Sequence, residues 1–234
     1  MSRSRTELLR RRTFLSQVGV AGVAAAAAGV AGAAPAAAQT NGVRFQPARH
    51  TQDDWLDSLP GKHRLFLDAV NGPGAGDALL FAGNFLNMNK SGYDLADSDS
   101  AVVICVRHFA TPFAWSDAIW AKYGAAFTEL VKLNDPKTGK APTINLYQKS
   151  DYGMQLNNLG TTTDDLIKRG VHFAVCDAAT HFISDMLAQH TKGSAEAIYT
   201  ELKSATIANS HYVAAGIVAV NRAQERGYSI AHCG

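Results

Sequence analysis

Residues 101–106 read Ala-Val-Val-Ile-Cys-Val and are apolar at every position. An unbroken apolar run of this length is typical of a strand in a parallel sheet, because helices cover both faces of such a sheet and no side of the strand meets water. This stretch therefore predicts a central strand and, with it, an α/β fold. The remaining segments are interpreted outward from this strand.

Strand and helix patterns alternate along the rest of the chain. Such alternation predicts a three-layer α/β/α sandwich with a mainly parallel central sheet and right-handed crossover connections. The predicted strands are 63–70, 143–146, 171–175, 211–216 and 228–231, and the predicted helices are 76–89, 113–133, 161–170, 178–190, 194–209 and 217–226.

Residues 1–38 have the composition of an export signal. They contain five arginines and a single acid, Glu7, and the stretch Arg11-Arg12-Thr13-Phe14-Leu15 resembles the twin-arginine motif. The run of Ala, Gly and Val that follows is only mildly hydrophobic, which favours a signal peptide over a membrane anchor. Small residues at 36–38 predict cleavage before Gln39 and release into the periplasm. An uncleaved transmembrane helix is the alternative, since the run is nearly long enough to span a bilayer.

The chain after the predicted signal is long enough for one domain with a sizeable core. We predict an irregular segment at 39–61 and a single domain at 62–234. Without the five arginines and one glutamate of the signal, the 22 basic and 20 acidic residues of the chain become 17 and 19. This slightly acidic balance excludes nucleic acid as a partner, because neutralising phosphates requires clustered positive charge. No membrane contact is expected after cleavage.

Polar residues gather where the predicted strands end. In an open parallel sheet this edge is where ligands bind. The candidate binding residues there are Asn71, His108, Gly216 and Cys233, together with Cys176 and Asp177 between a strand and a helix. His181, on the predicted helix that follows, is a further candidate. It could share a helix face with Asp185, but the spacing matches no strong zinc pattern, so no metal or other cofactor is predicted.

The chain has three cysteines, an odd number that cannot be fully paired within one exported molecule. Cys176 is the candidate reactive thiol, because the positive end of the following helix dipole would stabilise its thiolate. A small buried residue without reactivity is the alternative. Cys105 lies inside the central strand, which favours a structural role. Cys233 is expected on a mobile tail, where it either resolves Cys176 or is an incidental thiol.

Two segments carry a resemblance to a known family. Residues 170–179 (GVHFAVCDAA) resemble the segment of the DsrE/DsrF-like sulfur-relay family in which a strand ends at a cysteine. Residues 213–220 (VAAGIVAV) with 224–228 (QERGY) resemble that family's last helix and strand. The resemblance covers about 63–108 and 164–233, and leaves 109–163 as an enlarged insertion.

The resemblance implies a three-layer fold, assembly into a homo-oligomer, and a persulfide carried on Cys176. The implied partner is a sulfur donor or acceptor protein, or a small sulfur compound. Asp177, His108 and His181 would then orient or tune the thiol. A binding module of the same fold, holding a small ligand or metal without turnover, is the alternative.

Replacing both Arg11 and Arg12 by Lys should leave the full-length precursor in the cytoplasm, because the paired arginines are what the twin-arginine pathway recognises. Fractionation followed by intact-mass analysis checks the prediction, with the unaltered chain as control and a mature start at Gln39 expected for it. Normal export of the variant would contradict the assigned route.

Overall fold

Five parallel strands form the central sheet of the computed structural model, which describes residues 46–149 and 152–234. The strands are β1 (His63–Ala69), β2 (Ser100–Val106), β3 (His172–Cys176), β4 (Ser210–Val213) and β5 (Ser229–Cys233). Their order across the sheet is β4-β3-β2-β1-β5, so β2 and β1 are central and β4 and β5 are the edges. Each neighbouring pair is parallel.

Helices lie on both faces of this sheet. They are α1 (Trp55–Ser58), α2 (Gly72–Tyr93), α3 (Asp117–Val131), α4 (Thr163–Lys168), α5 (Asp177–Thr191), α6 (Ala195–Ser204) and α7 (Gly216–Gln224). Buried residues of α2 to α6 belong to one large core cluster, whereas those of α1 and α7 belong to a smaller cluster on the other face. The prediction of a three-layer α/β/α fold is confirmed.

Strand β2 shows why the 101–106 stretch is apolar throughout. Val102, Ile104 and Val106 point into the large core, and the alternate residues, Val103 and Cys105 among them, point into the smaller one. All are at most 3 % exposed. Because successive side chains of a strand face opposite ways, a strand covered on both sides buries both sets of side chains and is apolar over most of its length.

The last crossover runs against the direction of the others. Strands β1 to β4 follow one another across the sheet in a single direction. After β4 the chain crosses back over the sheet and places β5 beside β1, at the opposite edge. Right-handed crossovers in opposite directions place their helices on opposite faces. The helix that follows β3, α5, therefore covers one face, and α7, which follows the neighbouring strand β4, covers the other.

The stretch 109–163 is part of the core. It supplies Phe113, Trp115, Trp120 and Phe127 to the large cluster, and all four side chains are at most 3 % exposed. The expected strand at 143–146 is wrong. The buried side chain of Asn145 donates to the carbonyls of Phe113 and Trp115, so this segment is bonded to the residues that precede α3 and pairs with no strand of the sheet.

The described part of the N-terminal segment is irregular apart from short helical turns. Its carbonyl at Leu56 accepts hydrogen bonds from Arg64 Nη1 at 2.8 Å and from the hydroxyl of Tyr228 at 2.7 Å. Trp55 stacks on the ring of His211 with centroids 4.0 Å apart. The predicted signal peptide lies outside the described residues. Among the helices described, none is long and apolar enough to cross a membrane.

Two partly buried histidines face each other on β3 and β4. His172 Nδ1 and His211 Nε2 are 2.9 Å apart, a hydrogen bond that requires at least one ring to be neutral. Burial lowers the pKa of His172 below its ordinary 6.5, and burial together with the neighbouring His172 lowers the pKa of His211. The folded protein therefore binds protons at this pair less readily than the unfolded chain does.

Stability should fall as the pH decreases through this range. Below pH 6.5 the histidines of the unfolded chain bind protons more readily than the folded pair does. The free energy of unfolding therefore keeps its full value above pH 6.5 and decreases as the pH falls below it. The urea midpoint should decrease between about pH 7.5 and about pH 5.5. The double variant His172→Gln/His211→Gln should lose most of this dependence, because amides keep the hydrogen bond without titrating. His190→Gln, at an exposed helix end, is the matched control; an unchanged pH dependence in the double variant would contradict the assignment.

Candidate functional site

A cavity of about 440 Å³ opens at the carboxyl ends of β2, β3 and β4. It lies between the first turns of α5 and α7. The residues that line it include Arg107, His108, Cys176, Phe182, Gly216 and Ile217. Its position follows from the topology, because α5 and α7 leave neighbouring strands toward opposite faces and a crevice opens between them.

Cys176 ends β3 and is also the N-cap residue of α5. Its sulfur accepts a hydrogen bond from the Ala179 N–H at 3.4 Å, and its carbonyl accepts one from the Thr180 hydroxyl at 2.9 Å. The side chain borders the cavity although the residue is only 6 % exposed. The sulfur therefore lies at the first turn of α5, with a backbone N–H directed at it.

Arg107 follows β2 and is held by a carboxylate buried in the sheet. Its Nε lies 2.6 Å from Oδ1 of Asp68 and its Nη2 lies 2.9 Å from Oδ2, the two-pronged geometry that guanidinium and carboxylate prefer. His232 Nδ1 is 3.1 Å from the same Oδ2. Burial opposes ionisation of Asp68, but the hydrogen bonds from Arg107 and His232 outweigh it and lower the pKa of the carboxyl.

Gly216 begins α7 in direct contact with Arg107. A Cβ at this position would overlap the Cβ of Arg107 and lie 2.6 Å from its Cδ. The absence of a side chain therefore lets the stem of the arginine pack against the first turn of the helix. The Gly216 carbonyl accepts a weak hydrogen bond from Cys105 Sγ at 3.9 Å.

His108 is brought to the cavity as the sequence predicted. It begins a 3-10 segment, His108–Ala114, with a left-handed backbone (φ 53°), and its exposed ring stacks on Phe109 with centroids 3.8 Å apart. Cys176, His108 and Gly216 thus come together from three different strand ends.

Asp177 and His181 face away from the cavity. Asp177 Oδ1 accepts a hydrogen bond from the Tyr199 hydroxyl at 2.8 Å and lies 3.7 Å from Lys203 Nζ. His181 stacks on the Tyr199 ring with centroids 4.0 Å apart and lies 3.7 Å from Asp177 Oδ2. These residues join α5 to α6, and neither lines the cavity.

Asn71 and Cys233 also lie elsewhere. Asn71 caps α2 by accepting the Gly74 N–H at 2.7 Å. The expectation that Cys233 is on a mobile tail is wrong: it is 2 % exposed in β5, where it pairs with Ala69. Three strand spacings, about 14 Å, separate β5 from β3, so Cys233 cannot resolve Cys176 where it stands.

The surroundings of the two other thiols disfavour their ionisation. Burial, with Asp77 and Asp68 nearby, raises the pKa of Cys233 to about 11. Complete burial, with the charge of Asp68 adding to it, raises the pKa of Cys105 well above its ordinary value. Of the three cysteines, Cys176 lines this cavity, whereas Cys105 and Cys233 do not.

Sequence reasoning missed the pair formed by Arg107 and Asp68. The signal was present: Asp68 is the single acid in the apolar run at 63–70, and a buried acid requires a partner. His232, two residues from the end of the chain, gave no local indication that it would join them.

Comparison with family models, curated proteins and solved structures found no match to this chain. Within the described ranges, no three His, Cys, Asp or Glu side chains are grouped so that they could hold a metal ion.

Iodoacetamide should modify the native protein at Cys176 first. Cys105 and Cys233 should react only after unfolding, because both are buried and burial raises their pKa. Peptide-by-peptide mass analysis at neutral pH, with and without denaturant, checks the order. Rapid native labelling of Cys233 would contradict the position assigned to β5.

Proposed function

We propose that this protein is an exported, periplasmic sulfur carrier in which Cys176 accepts a sulfur atom and holds it as a persulfide. The observation that carries the proposal is the position of Cys176, which lines the cavity and whose sulfur accepts the Ala179 N–H. A thiolate is the form that attacks sulfur, and the cavity gives a small sulfur compound a path to Cys176.

Burial supports a carrier role over that of an exposed redox thiol. Reversible sulfur modifications of cysteine are lost to further oxidation or exchange when they are freely accessible. At 6 % exposure, Cys176 is reached through the cavity, and the two other thiols lie too deep to attack a persulfide formed on it.

The rim of the cavity offers a surface for the partner protein. Phe182 and Ile217 line the cavity and are 57 % and 59 % exposed. Large exposed apolar side chains beside a site mark a surface for contact with another protein. In this proposal an acceptor protein covers them and receives the sulfur. Assembly of copies into a homo-oligomer, implied by the family resemblance, is part of the same proposal.

A binding module without turnover is the second candidate. It is favoured by the hydrogen-bonding capacity that Arg107 still has at the cavity, since Nη1 has no partner within the described residues. Such a module would hold its ligand whether or not Cys176 can react.

The proposal predicts a gain of about 32 Da, one sulfur atom, on the Cys176 peptide after treatment with polysulfide. Cys176→Ser should abolish the gain without unfolding the protein, because serine is a preferred N-cap residue and can accept the same Ala179 N–H. Cys233→Ala is the matched control and should load as the unaltered protein does. Mass analysis of digested protein reads the result, and absence of the added sulfur at Cys176 would leave the binding module as the function.

A further inference from the structure

Three hydrogen-bond donors at the cavity have no acceptor in the described part of the chain. Arg107 uses Nε and Nη2 on Asp68, which leaves both N–H groups of Nη1 free. The N–H groups of Gly216 and Ile217 lie in the first turn of α7, where no helical carbonyl precedes them, and no other group accepts from them. All three residues line the same cavity as Cys176.

The donors are held in a fixed relation to one another. Because Gly216 has no side chain, the stem of Arg107 lies against the first turn of α7. Asp68 fixes the guanidinium plane from the far side through two hydrogen bonds. These donors are therefore available to an acceptor on a ligand that enters the cavity.

The charge around these donors favours an anion. The cavity is lined by Arg107 and by the positive ends of two helices, α5 and α7, of 15 and 9 residues. None of the lining residues is acidic. Of the nearby acids, Asp68 is bonded to the guanidinium of Arg107 outside the cavity lining, and Asp177 is turned toward Tyr199 and Lys203. The two helix ends therefore add to an arginine whose charge is already shared with Asp68.

We propose that the cavity binds a small tetrahedral oxoanion on Arg107 and the first turn of α7, beside the sulfur of Cys176. This inference rests on the proposed function and names the class of donor: a sulfane-sulfur compound whose leaving group is an oxoanion, that is, thiosulfate or an organic thiosulfonate. Phe109 and Phe182 line the same cavity and offer an apolar contact to the organic group of a thiosulfonate.

The transfer step balances without an added oxidant or reductant. The Cys176 thiolate attacks the outer sulfur of thiosulfate, and a new S–S bond forms as the S–S bond of the donor breaks. The bonding pair leaves with sulfite, so a thiolate and a dianion become a persulfide anion and a dianion. The free donors at Arg107 and α7 would bind the oxygens on which the leaving charge collects.

Binding is tested apart from chemistry in the Cys176→Ser background, by calorimetric titration with sodium thiosulfate. The variant pair Asp68→Asn and Arg107→Met/Asp68→Asn isolates the guanidinium, because neither leaves an unpaired buried carboxylate. The double variant should bind thiosulfate at least about tenfold more weakly than Asp68→Asn, the loss expected for a charge-assisted hydrogen bond. Equal affinity in the two would overturn the proposal.

A second pair keeps the test decisive if the double variant fails to fold. Gly216→Ala displaces Arg107 and should weaken binding. Val218→Ala is the matched control, because Val218 lies on the same helix, is exposed and does not line the cavity, so this variant should bind as the parent does. Unfolding midpoints establish that each variant is folded. If Gly216→Ala binds thiosulfate as tightly as Val218→Ala, the site is not where we place it.

A parallel titration with phosphate tests which kind of oxoanion the cavity prefers. Thiosulfate should bind at least as tightly as phosphate, and a clear preference for phosphate would assign the cavity to a phosphate-bearing ligand and overturn the donor class. Polysulfide lacks an oxoanion, so loading of Cys176 by polysulfide tests the proposed function independently. A protein that loads from polysulfide but binds no thiosulfate keeps the function and loses this inference. A protein that binds thiosulfate but does not load keeps the oxoanion site and loses both the carrier function and the donor class.

Discussion

The return of the chain from one edge of the sheet to the other is the constraint on which the rest of the architecture depends. Because crossovers are right-handed, α7 has to cover the face opposite to α5 although the two helices follow neighbouring strands. Their first turns therefore separate at the edge of the sheet, and a cavity opens between them. Cys176 and Gly216 are at this opening because each lies at a strand end, so the topology alone accounts for their position.

Burying the carboxylate of Asp68 costs free energy, and the ion pairs that offset this cost also shape the site. A charge at 4 % exposure has to be paired, and its partners come from the neighbouring strands, Arg107 after β2 and His232 on β5. The pairing leaves one edge of the guanidinium free and turns it to the cavity. Stability of the sheet and orientation of the arginine are thus two results of one interaction.

The fold could be predicted from the sequence, because its signals are local. The apolar run at 101–106 and the capped helix at Thr163–Lys168 depend on side chains close together in the chain. The site could be predicted only in part. Strand ends located Cys176, His108 and Gly216, but the direction of Asp177 is set by Tyr199 on another helix, and the contact between Arg107 and Gly216 joins residues far apart in sequence. Cys233 was misplaced for the same reason, since only pairing with β1 distinguishes a short edge strand from a tail.

Two of the three free donors at the cavity belong to the backbone, at Gly216 and Ile217. An amide N–H is present whatever side chain the residue bears, so substitutions at Ile217, whose side chain is 59 % exposed, can alter the rim without removing a donor. Gly216 has no such freedom, because any side chain there meets Arg107. Adjacent positions thus differ in how freely they accept substitution: a new side chain at Ile217 changes the surface of the rim, whereas a new side chain at Gly216 displaces the arginine beneath it.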